Sequence, residues 1–403
     1  MTTDTTISQL PGGVNRRETL LALMGLTAIA AGCGGGGGGV AGVGSGGTGS
    51  FSVGPITGFG SVIVNGIRFD DSAASVTDDD GNDLRGKLKL GMLATVKGGA
   101  VSGTSASATS VVISGELVGR VANLNSGAQT FTAMGQLVKV TGSTVFDVSL
   151  PNSFASLAAD TVVEVHGVVD TTNNSIQATY IEKKNAPSLF RIMGKIDGLN
   201  TSATTFRIGS ITINYATAEV RVSPLANGAL ARVRVNAVQP PTAEPAVWIA
   251  TRVRPPENAN EDRNEAEIEG IITDFTSTSS FSVYGQPVNA AGASFPEGTA
   301  GIVLGARVEV KGSLVSGTLV ATRVKLEDEN DIDNLEFELH GTVSELTATQ
   351  FKLTPRSGPA ITVLFTGTVA GLADGSRVEA KGTVNNSGSA GTVIQATSVR
   401  IDN

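Results

Sequence analysis

Apolar and polar residues alternate along this chain in short runs, and one such run returns five times. It occupies residues 93–98, 162–167, 231–237, 307–312 and 377–382. Ala94 and Val96, Val163 and Val165, Val233 and Val235, Val308 and Val310, and Val378 and Ala380 fall on one side of it. Thr95, Glu164, Arg234, Glu309 and Glu379 fall on the other. Period-two alternation of this kind predicts strands with one dry and one wet face. An Ala-Thr pair follows each run, at Ala108-Thr109, Ala178-Thr179, Ala250-Thr251, Ala321-Thr322 and Ala396-Thr397. The pair recurs at intervals of 70, 72, 71 and 75 residues, so the chain is a repeat array. Each unit opens on a glycine-bearing strand, marked by Gly58, Gly119, Gly194, Gly270 and Gly341. Phe131, Phe206, Phe281 and Phe351 follow in units two to five, and Val62 takes that place in unit one if Gly66 matches Gly135.

The expected architecture is all-β: five tandem small OB-like β-barrel domains after a disordered signal and tether. At this unit size a closed barrel removes bare strand edges best. A five-bladed assembly or a continuous solenoid is the alternative. The boundaries fall at 51–114, 115–184, 189–255, 266–327 and 337–403, with acidic linkers at 256–265 and 328–336. Residues 1–32 read as an export signal, and 33–50 as a lipidated cysteine with a glycine-rich tether.

The N-terminal reading rests on Arg16 and Arg17, an apolar run from Leu20 to Ala31, and the sole cysteine, Cys33. That run is too short to span a bilayer, which takes about 20 apolar residues. A basic start, a short apolar stretch and a small-residue exit describe an export signal. Ala30-Ala31-Gly32-Cys33 resembles the bacterial lipobox, and Arg16-Arg17 before Leu20-Leu21 resembles a twin-arginine signal. The lipobox resemblance implies acylation of Cys33, a membrane partner through that lipid, and an outer-membrane address, since Gly34 replaces the aspartate of retained lipoproteins. The competing reading is an ordinary secretory peptide that leaves Cys33 a free thiol.

The net charge of −8 belongs to the mature chain, because Asp4 and Glu18 balance Arg16 and Arg17. Nucleic-acid binders carry basic patches, so no nucleic-acid partner is expected. One cysteine excludes an intramolecular disulfide.

Unit one carries Gly58-Phe59-Gly60-Ser61-Val62-Ile63-Val64-Asn65-Gly66-Ile67-Arg68-Phe69-Asp70, then Asp80-Gly81 and Leu88-Lys89-Leu90-Gly91-Met92. These residues resemble the bacterial domain-of-unknown-function family 5666. The resemblance spans about residues 52–402 and implies small β-barrel repeats on exported proteins. It implies no activity.

Candidate chemistry is sparse. His166 is expected on an outward strand site, aligned with Lys97, Asn236, Lys311 and Lys381, and His340 just before Gly341; both are expected at the surface. Neither has the spacing of a triad or a zinc site. Asp70-Asp71 and the run Asp78, Asp79, Asp80, Asp83 cluster in unit one. Calcium takes 6–8 oxygens at flexible geometry, so Asp78–Asp83 is a candidate calcium site, although its glycine is misplaced for an EF-hand. Asp-Gly is equally a turn pair. A carboxylate pair for glycoside hydrolysis is also compatible, but no spacing selects it. The linker acids Asp328, Asp331 and Asp333 are the second calcium candidate, against a solvated, self-repelling linker. Trp248 is expected in a core or half-buried strand position. No cofactor is expected apart from possible calcium. The expected role is a non-catalytic, lipid-anchored envelope protein, a scaffold or adhesive surface for an unknown envelope or extracellular partner. The alternative is a calcium- or glycan-binding extracytoplasmic module.

Overall fold

The computed structural model describes residues 49–237, 247–328, 335–386 and 392–402. Cys33 and the signal residues Arg16, Arg17, Ala30, Ala31 and Gly32 lie outside them, as do Asp331 and Asp333. The described residues are β throughout, apart from one 3-10 turn at Ser153–Ser156. Repeat 1 contains β1 (Ser50–Phe59), β2 (Val62–Val64), β3 (Ile67–Asp70), β4 (Ser75–Asp78), β5 (Leu93–Gly98) and β6 (Ser105–Ile113). Repeat 2 contains β7 (Leu117–Arg120), β8 (Ala122–Asn125), β9 (Thr130–Ala133), β10 (Gln136–Phe146), β11 (Val162–Asp170) and β12 (Ser175–Lys183). Repeat 3 contains β13 (Leu189–Lys195), β14 (Asp197–Asn200), β15 (Thr205–Ile208), β16 (Ile211–Asn214), β17 (Glu219–Val220), β18 (Leu230–Asn236) and β19 (Val247–Arg254). Repeat 4 contains β20 (Arg263–Ser277), β21 (Ser280–Val283), β22 (Gln286–Asn289), β23 (Arg307–Val315) and β24 (Thr318–Leu326). Repeat 5 contains β25 (Phe337–Ser344), β26 (Gln350–Pro355), β27 (Ile361–Leu364), β28 (Arg377–Val384) and β29 (Val393–Ile401).

One pairing scheme recurs. In repeat 4, β20 pairs antiparallel with β23, β23 with β24, and β21 with β22, while β22 runs parallel to β24. β20 also pairs with β21, which closes the circuit. Repeats 1 and 5 close the same way, through β1–β2 and β25–β26. The Ala-Thr motif marks a β-bulge in every copy. Lys97 faces Ser110 but Gly98 faces Ala108, which leaves Thr109 unpaired; Thr179, Thr251, Thr322 and Thr397 are skipped likewise. The spare hydroxyl turns back across the ladder. Thr109, Thr322 and Thr397 donate to the carbonyls of Lys97, Lys311 and Lys381 at 2.9, 3.2 and 3.1 Å.

The bulges correct the alignment of repeat 3 by two residues. Arg234, not Asn236, is the counterpart of His166, and Arg232 that of Glu164. Val235 replaces the glycine that marks this point in the other four copies, which hid the true register. In repeat 1 the first-strand glycine equivalent to Gly119 is Gly54, paired with Ala94, rather than Gly58.

The repeats, expected as separate tandem barrels, are not self-contained. First strands pair with first strands: β1 runs parallel to β20 from Ser50 to Val53 and to β25 at Gly58 and Phe59. β7 meets β13 at Val118 and Arg191. Repeats 4, 1 and 5 thus share one sheet, and repeats 2 and 3 another. The apolar cores merge too. One spans repeats 2, 3 and 4 and takes in Phe51, Val53 and Leu93 of repeat 1. The other joins repeats 1 and 5 and takes in Val145 and Tyr180 of repeat 2. Units this small bury too little apolar surface alone, and pooling cores offsets that. The linker expected at 256–265 is docked rather than self-repelling. Ala259 is buried and donates its N–H to Gln286, Asn258 bonds to the Gly285 carbonyl, and β20 already begins at Arg263.

Candidate functional site: an arginine face closed by an acidic turn

Strands β13, β18 and β19 bring five arginines together. Arg191 lies opposite Arg234, Arg234 opposite Arg252, and Arg232 opposite Arg254. Like charges directly across a ladder destabilise it, so this face needs anions from elsewhere. Repeat 1 supplies them through the turn after β4. Asp78 shapes that turn: its carboxylate accepts the N–H groups of Asp80 and Asn82 at 2.9 and 2.8 Å. Gly81 takes the positive φ (83°) that the turn requires.

The turn delivers Asp79 into the arginines. Its side chain is 2% exposed. Its oxygens lie 2.9 Å from Arg234, 3.3 Å from Arg191 and 3.8 Å from Arg232, and also touch Arg254. Arg254 donates to the Asp79 carbonyl at 3.0 Å. Burial alone would raise the Asp79 carboxyl, but Arg191, Arg232, Arg254 and Arg234 reverse that and hold it below the usual range. Asp80 bonds to Arg252 at 3.2 Å and to Arg234.

A second layer lies deeper. Glu116 is fully buried against Arg232 at 3.3 Å and the Tyr284 hydroxyl of repeat 4. Burial pushes its carboxyl up, and Arg232 and Tyr284 only partly offset this. Tyr284 sits at positive φ (52°) in its hairpin turn, a conformation that bulky side chains rarely adopt. The Gly115 carbonyl accepts from Arg232 at 2.7 Å and from Arg191 at 3.1 Å.

Next to this lock is a cavity of about 340 Å³, lined among others by Asp78, Glu164, His166, Glu182, Lys184 and Phe190. Glu164 pairs with Arg191 at 3.0 Å and Lys184 at 2.9 Å, and Lys184 also holds Glu182 at 2.8 Å. His166 was expected at the surface and is 1% exposed. Its burial follows from the docking of repeat 2 on repeat 1. Gly91 comes so close to Thr179 that a Cβ on it would lie 2.2 Å from the Thr179 carbonyl oxygen. In this repeat the bulge threonine donates to the Gly91 carbonyl at 2.6 Å instead of across its own ladder. The Leu93 N–H bonds to His166 Nδ1 at 3.3 Å, which leaves the imidazole proton on Nε2. Burial, helped by Arg191, Arg232 and Lys184 and opposed by Glu164, pulls the histidine down to about 4.

The Asp78–Asp83 run, the first calcium candidate, is met by protein partners in this setting. Asp78, Asp79 and Asp80 do bring one oxygen each within 4.8 Å of one another. Asp79 and Asp80 are spent on guanidinium groups, whose positive charge opposes a dication, and Asp78 is spent on its own turn. Asp83 is exposed and caps the Arg85 N–H at 3.0 Å. Asp328 lies past the end of β24, where its carbonyl accepts from Arg307 at 3.4 Å. A second group, Glu338, His340 and Glu379, is likewise engaged: Lys381 bonds to Glu338 at 2.9 Å and Glu379 at 3.2 Å, and Arg68 touches Glu338. His340, also expected at the surface, is half-buried between Glu338 at 2.8 Å and Asp402 at 3.3 Å. Trp248 is buried as expected, 5.8 Å from the Phe190 ring. Sequence reasoning missed the arginine face. Its signal was the R-x-R spacing of Arg232 with Arg234 and of Arg252 with Arg254 on neighbouring strands.

A family described as a domain of unknown function (DUF5666) matches residues 118–182 and 269–325, within repeats 2 and 4. The family expected from repeat 1 is therefore present in the chain, on two other copies. No curated protein matches the chain.

Proposed function

Starting from a chain whose second and fourth repeats are DUF5666 domains, we propose a non-catalytic, lipid-anchored cell-envelope scaffold built from five interlocked OB-like barrels. The observation that carries this reading is where the buried charge goes. Asp79 of repeat 1 and Glu116 of repeat 2 hold the arginines of repeat 3, and Tyr284 of repeat 4 donates to Glu116. Each carboxylate there already has a cationic partner, which favours holding parts together over acid–base chemistry. In repeats 1, 4 and 5 the strands close a circuit back to the first, with the third strand running parallel to the last, and this supports the OB-like description. The anchor rests on the signal-like segment ending at Cys33. Several acyl chains on that residue would make membrane attachment stable.

The test is fractionation of cells expressing the chain or its Cys33→Ser variant after labelling with a radioactive fatty acid. Label and membrane association should both be lost in the variant. An unlabelled parent chain in the soluble fraction would reject the anchor. Protease treatment of intact cells then reports which side of the membrane the repeats face.

A further inference from the structure

Repeat 2 carries a second large cavity of about 700 Å³, within the size range of small-ligand sites. None of the described residues lining it is ionisable. Three other cavities among the described residues are each lined by ionisable side chains, including Glu164 and Lys184, Glu265 and Lys311, and Arg120 and Lys183. Its apolar lining comes from Leu124, Val140, Phe146, Phe154 and Leu157. The polar lining is of hydroxyls and amides: Ser126, Gln129, Asn152 and Asn386. The wall is specific to this repeat, because the 3-10 turn Ser153–Ser156 is the only helical segment among the described residues. Asn386 of repeat 5 is fixed at the rim by donating to the Gly142 and Thr144 carbonyls at 3.2 and 3.0 Å. Gln129 and Ser153 are both held at positive φ (51° and 52°). Such backbone persists where surrounding structure imposes it, and it clusters at ligand sites. The Asn152 side chain and the Ser126 hydroxyl make no hydrogen bond among the described residues, so they are free to serve a ligand.

We propose that this cavity binds an uncharged oligosaccharide. A sugar ring presents C–H groups on its faces and hydroxyls around its edge, which matches apolar carbon beside an amide and hydroxyl rim. A charged glycan would find no counter-ion here and would pay to desolvate its carboxylates. The site is independent of the scaffold reading and of the arginine face.

The test is calorimetric titration of the detergent-solubilised full chain with neutral hexasaccharides of glucose, xylose and N-acetylglucosamine. Hexagalacturonate and an uncharged hexapeptide serve as comparators. Saturable binding is expected for at least one neutral saccharide and neither comparator. The Ser126→Ala/Asn152→Ala variant alters exposed side chains that make no hydrogen bond among the described residues, so it should keep the parent melting temperature and bind about tenfold more weakly. Four results would overturn the proposal: no binding to any neutral saccharide by folded protein, equal binding of hexagalacturonate, preference for the peptide, or full affinity in the double variant.

Discussion

The Asp79 carboxylate accepts a hydrogen bond from Arg234 at 2.9 Å across 155 residues of sequence. That contact ties a turn of repeat 1 to the outer face of repeat 3, with repeat 2 lying between them in the chain. Asp79 supplies counter-charge to four of the five arginines, and Asp80 answers the fifth, Arg252.

Asp79→Ala should therefore destabilise the protein by about 3–5 kcal/mol, the cost of leaving buried cations without their partner. Asp83→Ala, on the exposed end of the same turn, should change stability by less than about 0.5 kcal/mol. Urea unfolding of both variants checks the pair. Equal, small effects would mean that the arginines are satisfied without Asp79.

Gly91 is the close-approach point between repeats 1 and 2. Its φ is +77°, and a Cβ would meet the Thr179 carbonyl and the Tyr180 Cβ. Gly91→Ala should cost about 2–4 kcal/mol, from backbone strain together with overpacking. Gly81→Ala also has positive φ but open space around it, and should show the strain alone. Comparing their thermal midpoints separates the two terms.

His166 sets an acid limit. Its folded value of about 4 lies below the ordinary 6.5, so the unfolded chain binds the proton first. Stability is then complete above pH 6.5 and falls as pH drops towards 4, by up to about 3 kcal/mol. His166→Gln can still accept the Leu93 N–H, and should remove this part of the pH dependence. Stability curves with the same slope between pH 4 and 6.5 in both proteins would contradict the assignment.

His340 should act with the opposite sign. Its bond to Glu338, helped by Asp402 and opposed by partial burial, raises it above 6.5. The stability it lends is present below pH 6.5 and is lost as pH rises through the raised value. His340→Gln should flatten the stability profile on the alkaline side of pH 6.5 and leave the His166 region unchanged. Thermal midpoints taken from pH 6 to 9 test this.

Much of the fold was legible because strand periodicity and turn chemistry are local. The five alternating runs and the Ala-Thr pairs located the last two strands of each repeat, and the pairs proved to be bulge sites. Register slipped where a local marker was missing, as at Val235. It also slipped where a decoy lay nearby, as with Gly58 beside Gly54. The site was legible only in fragments. The acidic turn was visible, but nothing local to it marked the arginines of repeat 3 that it meets. His166 read as a surface residue because its equivalents in repeats 1, 4 and 5 are lysines, and the one aligned in repeat 3 is an asparagine.

By itself, then, the sequence determined the β class, the number of repeats and the places where ladders bulge. Each of these depends on neighbours within one hairpin, where side-chain direction alternates with every residue. Only the tertiary structure decided that repeat 1 sits between repeats 4 and 5 in one sheet. It alone decided that Gly91 buries His166 and that Asp79 answers the arginines of repeat 3. Those outcomes depend on which outer faces match in shape and charge across more than a hundred residues, and no local period records that.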